Sequence, residues 1–268
     1  EYQNFDVEIA EGSARISLIG PGAPDMAHLC DEFTDLMLRL EEDRAVRLIH
    51  FTDGDHSFDF HHNLDSLASA YQQDEGMEVL AADEEIGRRI VTVIAECIKP
   101  VVASTRGDIR NLGFGFFLAA DIKLATPEAT FTAPDLMSGM LPGWGLTFTL
   151  SRLLGPGRAL EFLWNRRTVS AGEAFQLGLI DRLIDSEVWE EELDNLSERL
   201  RSLPQPAVQL TKLGVQQASQ LDATTMLSFD WESQQQCWAS LETGESLKAR
   251  LEGRIPQFDA PVTSQDDE

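Results

Sequence analysis

The sequence predicts an α/β fold, and two observations carry that prediction. The first is the stretch from Lys99 to Gly145. An apolar strand, Val101 to Ser104, leads through a polar turn, Arg106 to Asn111, into a small and apolar run, Leu112 to Ala120. That run suits a helix, and a second strand, Ile122 to Ala125, follows Asp121 at once. A helix apolar all round must be covered on every side, so this one belongs inside a core. The second observation is that strand and helix patterns also exchange before this stretch, with a strand over Arg47 to Thr52 and a long helix over Met77 to Ile98.

The remaining elements follow in order. Phe5 to Ala10 and Ala14 to Ile19 read as strands around the turn Glu11-Gly12-Ser13. Asp25 suits an N-cap for a helix over Met26 to Glu42, with Leu29, Phe33, Leu36 and Leu40 on one face. Asp65 to Glu78 is polar and reads as an exposed loop or a flap over a pocket. Trp144 to Leu154, Gly157 to Asn165 and Ala171 to Leu177 read as helices, and Gly178 to Ile184 as a strand. Pro204 and Pro206 mark a boundary, dividing a core of residues 1–203 from a helical region of residues 204–268. In that region Phe229, Trp231 and Trp238 need a partner surface to bury them.

Composition narrows the function classes. The 268 residues are 43% hydrophobic, enough for one large core with a small helical appendage. No apolar run approaches the ~20 residues of a membrane span, and the acidic, polar start EYQNFDVEIAEG is no signal peptide. A net charge of −25 argues against nucleic acid, which needs clustered positive charge. Cys30, Cys97 and Cys237 are far apart and odd in number, so they read as reduced thiols of a cytoplasmic protein with no metal-ligand spacing.

The amino end of the helix after Asn111 carries free N–H groups, a ready site for an oxygen with negative charge. On the residues alone, a buried β-α-β segment without chemistry fits equally. Five histidines all lie before residue 63, with His56, His61 and His62 in one loop. That loop is open to two readings: a polar loop without chemistry, or one histidine facing a pocket as acid, base or hydrogen-bond donor. Neighbours on an extended chain point to opposite sides, which disfavours a metal site at His61-His62.

Several motifs resemble one family. The run KPVVASTRGDIRNLGFGFFLAADIKLAT is similar to the central pattern KPVIAAVNGxAxGGGxxLAxxCDIxxA of the crotonase superfamily, the enoyl-CoA hydratases and isomerases. Ala129 to Gly143 resembles its AxFxxPExxxGxxPGxGG stretch, and Ser170 to Ile180 its AxEAxxxGLV signature. Leu251 to Phe258 resembles its carboxy-terminal FLEKRKPxF. The resemblance runs through nearly the whole chain. It implies a ββα spiral core with a C-terminal helical region that joins homotrimers, often stacked as hexamers. It implies an acyl-CoA thioester as substrate, no separate cofactor, and an oxyanion hole made of two backbone N–H groups.

Carried over position by position, the resemblance makes His62 and Leu112 the oxyanion donors, with Gly113, Gly115 and Trp144 lining the substrate pocket. Gly115 takes the position of one of the two hydratase carboxylates and has no side chain; Asp135 takes the other. The two-carboxylate device for adding water is therefore broken, and a single carboxylate suits proton shuttling, as in isomerisation. On its own residues, Asp135 after Pro134 reads equally as a turn or N-cap aspartate. His61 is the second catalytic candidate, and Lys248, Arg254 and Phe258 are candidates for holding the nucleotide end of coenzyme A. A Gly115→Glu substitution is expected to restore paired carboxylates at little cost to the helix. Two other functions remain open. One is carbon–carbon hydrolysis of a β-diketone without coenzyme A, as in some relatives. The other is a binding protein that has lost catalysis.

Overall fold

The first sheet grows outward from a hairpin. In this computed structural model, which describes residues 2–19, 26–53, 58–60, 64–72 and 76–258, β1 (Phe5–Ala10) pairs antiparallel with β2 (Ser13–Leu18) across the turn at Gly12. Every later strand of that sheet joins in parallel: β3 (Leu48–Thr52), β5 (Val101–Thr105), β7 (Ile122–Ala125) and β10 (Arg182–Leu183), giving the order β1-β2-β3-β5-β7-β10. All five residues of β3 and of β5 are buried, as expected for central parallel strands covered on both faces.

A second sheet is built from the strands that follow β3, β5 and β7, with one more strand added at its edge. It holds β4 (Phe58–Phe60), β6 (Asp108–Asn111), β8 (Thr130–Thr132) and β9 (Thr168–Ser170), in the order β4-β6-β8-β9. The chain therefore visits the sheets in pairs, β3 then β4, β5 then β6, β7 then β8. Between the pairs come α3 (Gly76–Ala95) and α4 (Leu112–Leu118). This is the ββα spiral. Phe33 on α1 (Met26–Glu42), Phe51, Phe58 and Phe116 are buried where its turns meet, and the Phe116 ring centroid lies 5.2, 5.0 and 5.3 Å from the other three.

Three sequence expectations are corrected here. The polar turn at Arg106 to Asn111 contains the strand β6; its residues alternate around buried Ile109, and its partners on both sides are distant in sequence. The segment from Asp65 includes the helix α2 (Leu64–Gln72). The strand expected over Gly178 to Ile184 shrinks to Arg182–Leu183, because Gly178, at φ 75°, caps α7 (Ala171–Leu177). A further helix, α8 (Trp189–Arg201), lies in the acidic run, where Trp189, Leu193 and Leu196 are buried at helical spacing. The expected N-cap Asp25 lies outside the described residues.

Beyond Pro204 the chain is helical, with α9 (Gln205–Gln217), α10 (Ala223–Ala239) and α11 (Leu241–Glu252). Ion pairs fasten these helices to the spiral. Lys212 Nζ donates to Asp121 Oδ2 at 2.6 Å and to the Lys99 carbonyl at 3.0 Å. Arg47 donates to both Glu242 oxygens, at 2.8 and 2.9 Å, and to the carbonyls of Arg201 and Leu203. The three cysteines are unpaired. Among the described residues no helix is long and apolar enough to cross a membrane, and no cluster of side chains could hold a metal ion.

One buried histidine belongs to the spiral. His50 on β3 has its Nε2 2.8 Å from the Ser104 hydroxyl on β5. Burial, assisted by the charge of Arg15, pushes its pKa down from 6.5 to about 3.

Candidate active site

In the second sheet, β4, β6 and β8 run parallel, with Phe60 opposite Asn111 and Arg110 opposite Thr132. Their carboxyl ends share one edge. Leu112 follows β6 there, and the chain to Asp135 follows β8. His61 and His62, which follow β4, lie outside the described residues.

Leu112 is buried and opens α4. Asn111 before it holds φ 52° and ψ −129°, an unusual conformation for any residue but glycine. Its side chain does not cap the helix; Nδ2 donates instead to Asp59 Oδ1 on β4 at 2.7 Å. The N-cap side chain thus accepts from none of the first N–H groups of α4, which have no intrahelical partner. The approach to this point is pinned by Asp53 at the end of β3. Its Oδ2 accepts from the Thr105 hydroxyl at 2.5 Å and from the backbone N–H groups of Arg106 and Gly107 at 3.0 and 3.1 Å. Asp53 is buried, and desolvation raises its pKa despite these donors.

Gly113 faces the backbone of β4. A Cβ on it would stand 2.1 Å from the Phe58 carbonyl oxygen, so its bareness lets β4 close onto the helix. Gly115, two residues further on, faces Trp144 instead. A Cβ there would stand 2.4 Å from the Trp144 carbonyl oxygen and 2.7 Å from the Trp144 Cβ. This corrects the expectation that Gly115→Glu is nearly free, since the space for a second carboxylate is occupied.

Trp144 is 5% exposed and holds φ 55°. Its ring centroid lies 5.8 Å from that of Phe60. The pyrrole edge of its indole rests on α3 at Gly87, where a Cβ would stand 2.2 Å from Cδ1 and 2.3 Å from Nε1. The Nε1–H is buried and has no hydrogen-bond partner among the described residues. Sequence reasoning passed over Gly87, although a glycine inside a helix costs ~1 kcal/mol relative to alanine and so signals a close approach. It also passed over Glu84, whose Oε1 lies 3.3 Å from where a Gly143 Cβ would stand. Glu84 lines a cleft with Glu85, Arg88, Trp144 and Gly145.

Asp135 caps the short turn Leu136–Ser138, its Oδ1 accepting from the Met137 N–H at 2.9 Å. Its Oδ2 accepts from Arg166 at 3.1 Å, with both side chains substantially exposed, 39% and 52%. At the carboxy-terminal end, Arg254 is paired with Glu245 and Glu252, its Nη1 at 2.5 Å and Nε at 2.7 Å. That pairing holds the Glu245 carboxyl well below the usual range, at about 2. The Phe258 ring lies 4.3 Å from the Arg47 guanidinium. Lys248, the third candidate there, sits on α11 with its charge acting on Glu245.

Residues 25–261 match the family pattern described as enoyl-CoA hydratase/isomerase. A crotonyl-CoA hydratase of Syntrophomonas wolfei is 28% identical over 262 residues, covering 96% of this chain and 98% of that one. A 4-chlorobenzoyl coenzyme A dehalogenase of Arthrobacter is 26% identical over 222 residues, covering 81% of this chain and 79% of that one. The crystal structure of an enoyl-CoA hydratase/isomerase from Cupriavidus metallidurans superposes with a TM-score of 0.84 at 27% identity, over 98% of this chain and 99% of that one. Two sheets wound into a ββα spiral define a crotonase-type fold. The chain belongs to the enoyl-CoA hydratase/isomerase family.

Proposed function

We propose that the chain acts on an acyl-CoA thioester by forming an enolate and moving a proton, as in double-bond isomerisation, rather than by efficient hydration. The observation that carries this reading is the contact between Gly115 and Trp144, which leaves no room for a second carboxylate beside the first turn of α4. Addition of water across a double bond calls on two carboxyl groups at one water molecule; enolate chemistry needs an oxyanion hole and one proton carrier. The Leu112 N–H, with the N–H of His62, is the donor pair in this reading. Each such donor contributes on the order of 3 kcal/mol to the transition state.

Asp135 is the proton carrier. It must release Arg166 to act, and a solvent-exposed pair of this kind is worth only ~0–1 kcal/mol, so release is cheap. Lys248, Arg254 and Phe258 are kept at the nucleotide end, where a phosphate would have to draw Arg254 away from Glu245 and Glu252. Leu227, Trp231 and Trp238 of α10 are exposed on the single chain, which supports a homotrimer or hexamer. Light scattering of the purified protein tests that assembly.

The chemistry is tested by proton exchange. Butyryl-CoA in D2O should take up deuterium at its α carbon, and a trans-3-enoyl-CoA should shift its double bond faster than crotonyl-CoA is hydrated. Hydration as the fastest of the three reactions would sink the reading. A second reading, a binding protein without turnover, draws on the same indole filling the pocket. Binding of the thioester without any exchange would favour it.

A further inference from the structure

Asn111 ends β6 at φ 52° and ψ −129°, a backbone shape that tight turns normally give to glycine. A residue held in such a shape persists only where its surroundings fix it. One such fixture is a hydrogen bond. Alternation along the ladder would put Asn111 on the buried face with Phe58, Phe60 and Ile109. Its amide reaches instead to Asp59, the exposed residue of β4, where Nδ2 donates to Oδ1 at 2.7 Å. A charged acceptor makes the stronger bond. The tie crosses between β6 and β4, the two strands whose chains run on to Leu112 and His62. The strained angle also aims a donor. The ψ of Asn111 sets the plane of the peptide joining it to Leu112, and so the direction of the Leu112 N–H. Relaxation to ordinary extended backbone, with ψ near about +135°, would turn that peptide by roughly 90°. A donor turned so far makes no useful hydrogen bond to an oxygen at its former target.

We propose that Asp59 is a positioning residue for the oxyanion hole: through the Asn111 amide it holds the 111–112 peptide so that the Leu112 N–H faces the thioester oxygen. This rests on the acyl-CoA reading above, in which Leu112 and His62 are the donors. Asp59 touches no substrate and acts only through Asn111. Its carboxylate stands on the exposed face, where water and salt screen it from the oxygen that becomes negative. Preorganisation is the gain. The donor is already aimed when charge develops, so no reorganisation is needed at that moment.

The test uses the full chain and butyryl-CoA labelled with carbon-13 at the thioester carbonyl. Two quantities are read: deuterium uptake at the α carbon in D2O, and the carbonyl stretch of the bound thioester, which hydrogen bonding at the oxygen moves to lower frequency. Asp59→Ala should slow exchange by roughly 10- to 100-fold and lose most of the carbonyl shift. Glycine takes the backbone shape at 111 unaided, so Asp59→Ala combined with Asn111→Gly should return exchange to within about threefold of the wild type, with the carbonyl shift restored. A purely structural loss at Asp59 would not be rescued this way. Asp59→Ala matching the wild type, or a double variant no faster than Asp59→Ala, would overturn the proposal. Should Asp59→Ala not fold, position 111 decides: Asn111→Gly should exchange roughly tenfold faster than Asn111→Ala, which has neither the tie nor the freedom, and equal rates overturn the proposal. If the wild type binds butyryl-CoA without exchange, the carbonyl shift decides by the same comparisons. A wild type that binds no thioester fells the acyl-CoA reading and this inference with it; a wild type that binds and exchanges while Asp59→Ala equals it overturns the inference alone.

Discussion

The carbonyl oxygen of Trp144 lies 2.4 Å from the point where a Cβ on Gly115 would stand. The obstacle is main chain, so no change of side chain at 144 removes it. Gly115→Ala should therefore destabilise the protein by about 1–3 kcal/mol, the usual range for overpacking. Urea denaturation measures this. The double variant with Trp144→Gly should recover little, and full recovery would show that the indole, not the backbone, is what Gly115 avoids. Gly115→Glu should lower activity rather than create a hydratase.

Gly87 and Trp144 form the complementary case, because there the obstacle is a side chain. Gly87→Ala alone should cost about 1–3 kcal/mol, since its Cβ would stand 2.2 Å from the Trp144 Cδ1. In a Trp144→Ala background the same change should be nearly neutral or slightly stabilising, as alanine is the better helix former. Thermal or urea unfolding of the four proteins completes the cycle. Additive effects would place the indole elsewhere.

Legibility followed how local the cause of each feature is. The helix Met26–Glu42 and the strands β5 and β7 were readable because their apolar spacing is written in neighbouring residues. Strand β6 was not, because Asp108-Ile109-Arg110-Asn111 is polar and becomes a strand only by pairing with β4 and β8, distant in sequence. In the candidate site the loss of a side chain at Gly115 was readable. That Trp144 fills the vacated space was not, since 29 positions separate residues 115 and 144 and only the spiral joins them. Asp135 showed both its readings in the sequence, and the cap on the Met137 N–H is present in the structure.

His50 predicts an acid sensitivity. Its folded pKa is depressed to about 3 from 6.5. Between those values the unfolded chain binds more protons, so stability is fully present above pH 6.5 and is lost as pH falls toward 3. The limiting slope is ~1.4 kcal/mol per pH unit. His50→Gln removes this contribution while the carboxylates common to both proteins cancel. The stability gap between wild type and variant should therefore narrow as pH falls from 7 to 4. A gap independent of pH would mean that His50 takes up its proton as readily folded as unfolded.

Asp135→Asn separates stability from chemistry. It removes a half-exposed ion pair with Arg166 and keeps an oxygen for the Met137 N–H. Unfolding free energy should move by only ~0–1 kcal/mol, whereas α-proton exchange of butyryl-CoA should fall by about 100-fold or more. Exchange that survives the substitution would assign the proton to another group, and Glu84 on α3 is the next carboxylate to replace.

Arg47 gathers Glu242, the carbonyls of Arg201 and Leu203, and the ring of Phe258 around one guanidinium; Lys212 does the same for Asp121 from the opposite side of the divide. Each region thus supplies the counter-ion that the other's charge requires. Arg47 and Lys212 are both largely shielded from water, with side chains 14% and 10% exposed. Separating the helices would break both shielded ion pairs and the backbone hydrogen bonds around them together. The prolines at 204 and 206 consequently mark a seam in composition and not a seam in cooperativity: spiral and helices should melt in a single calorimetric transition.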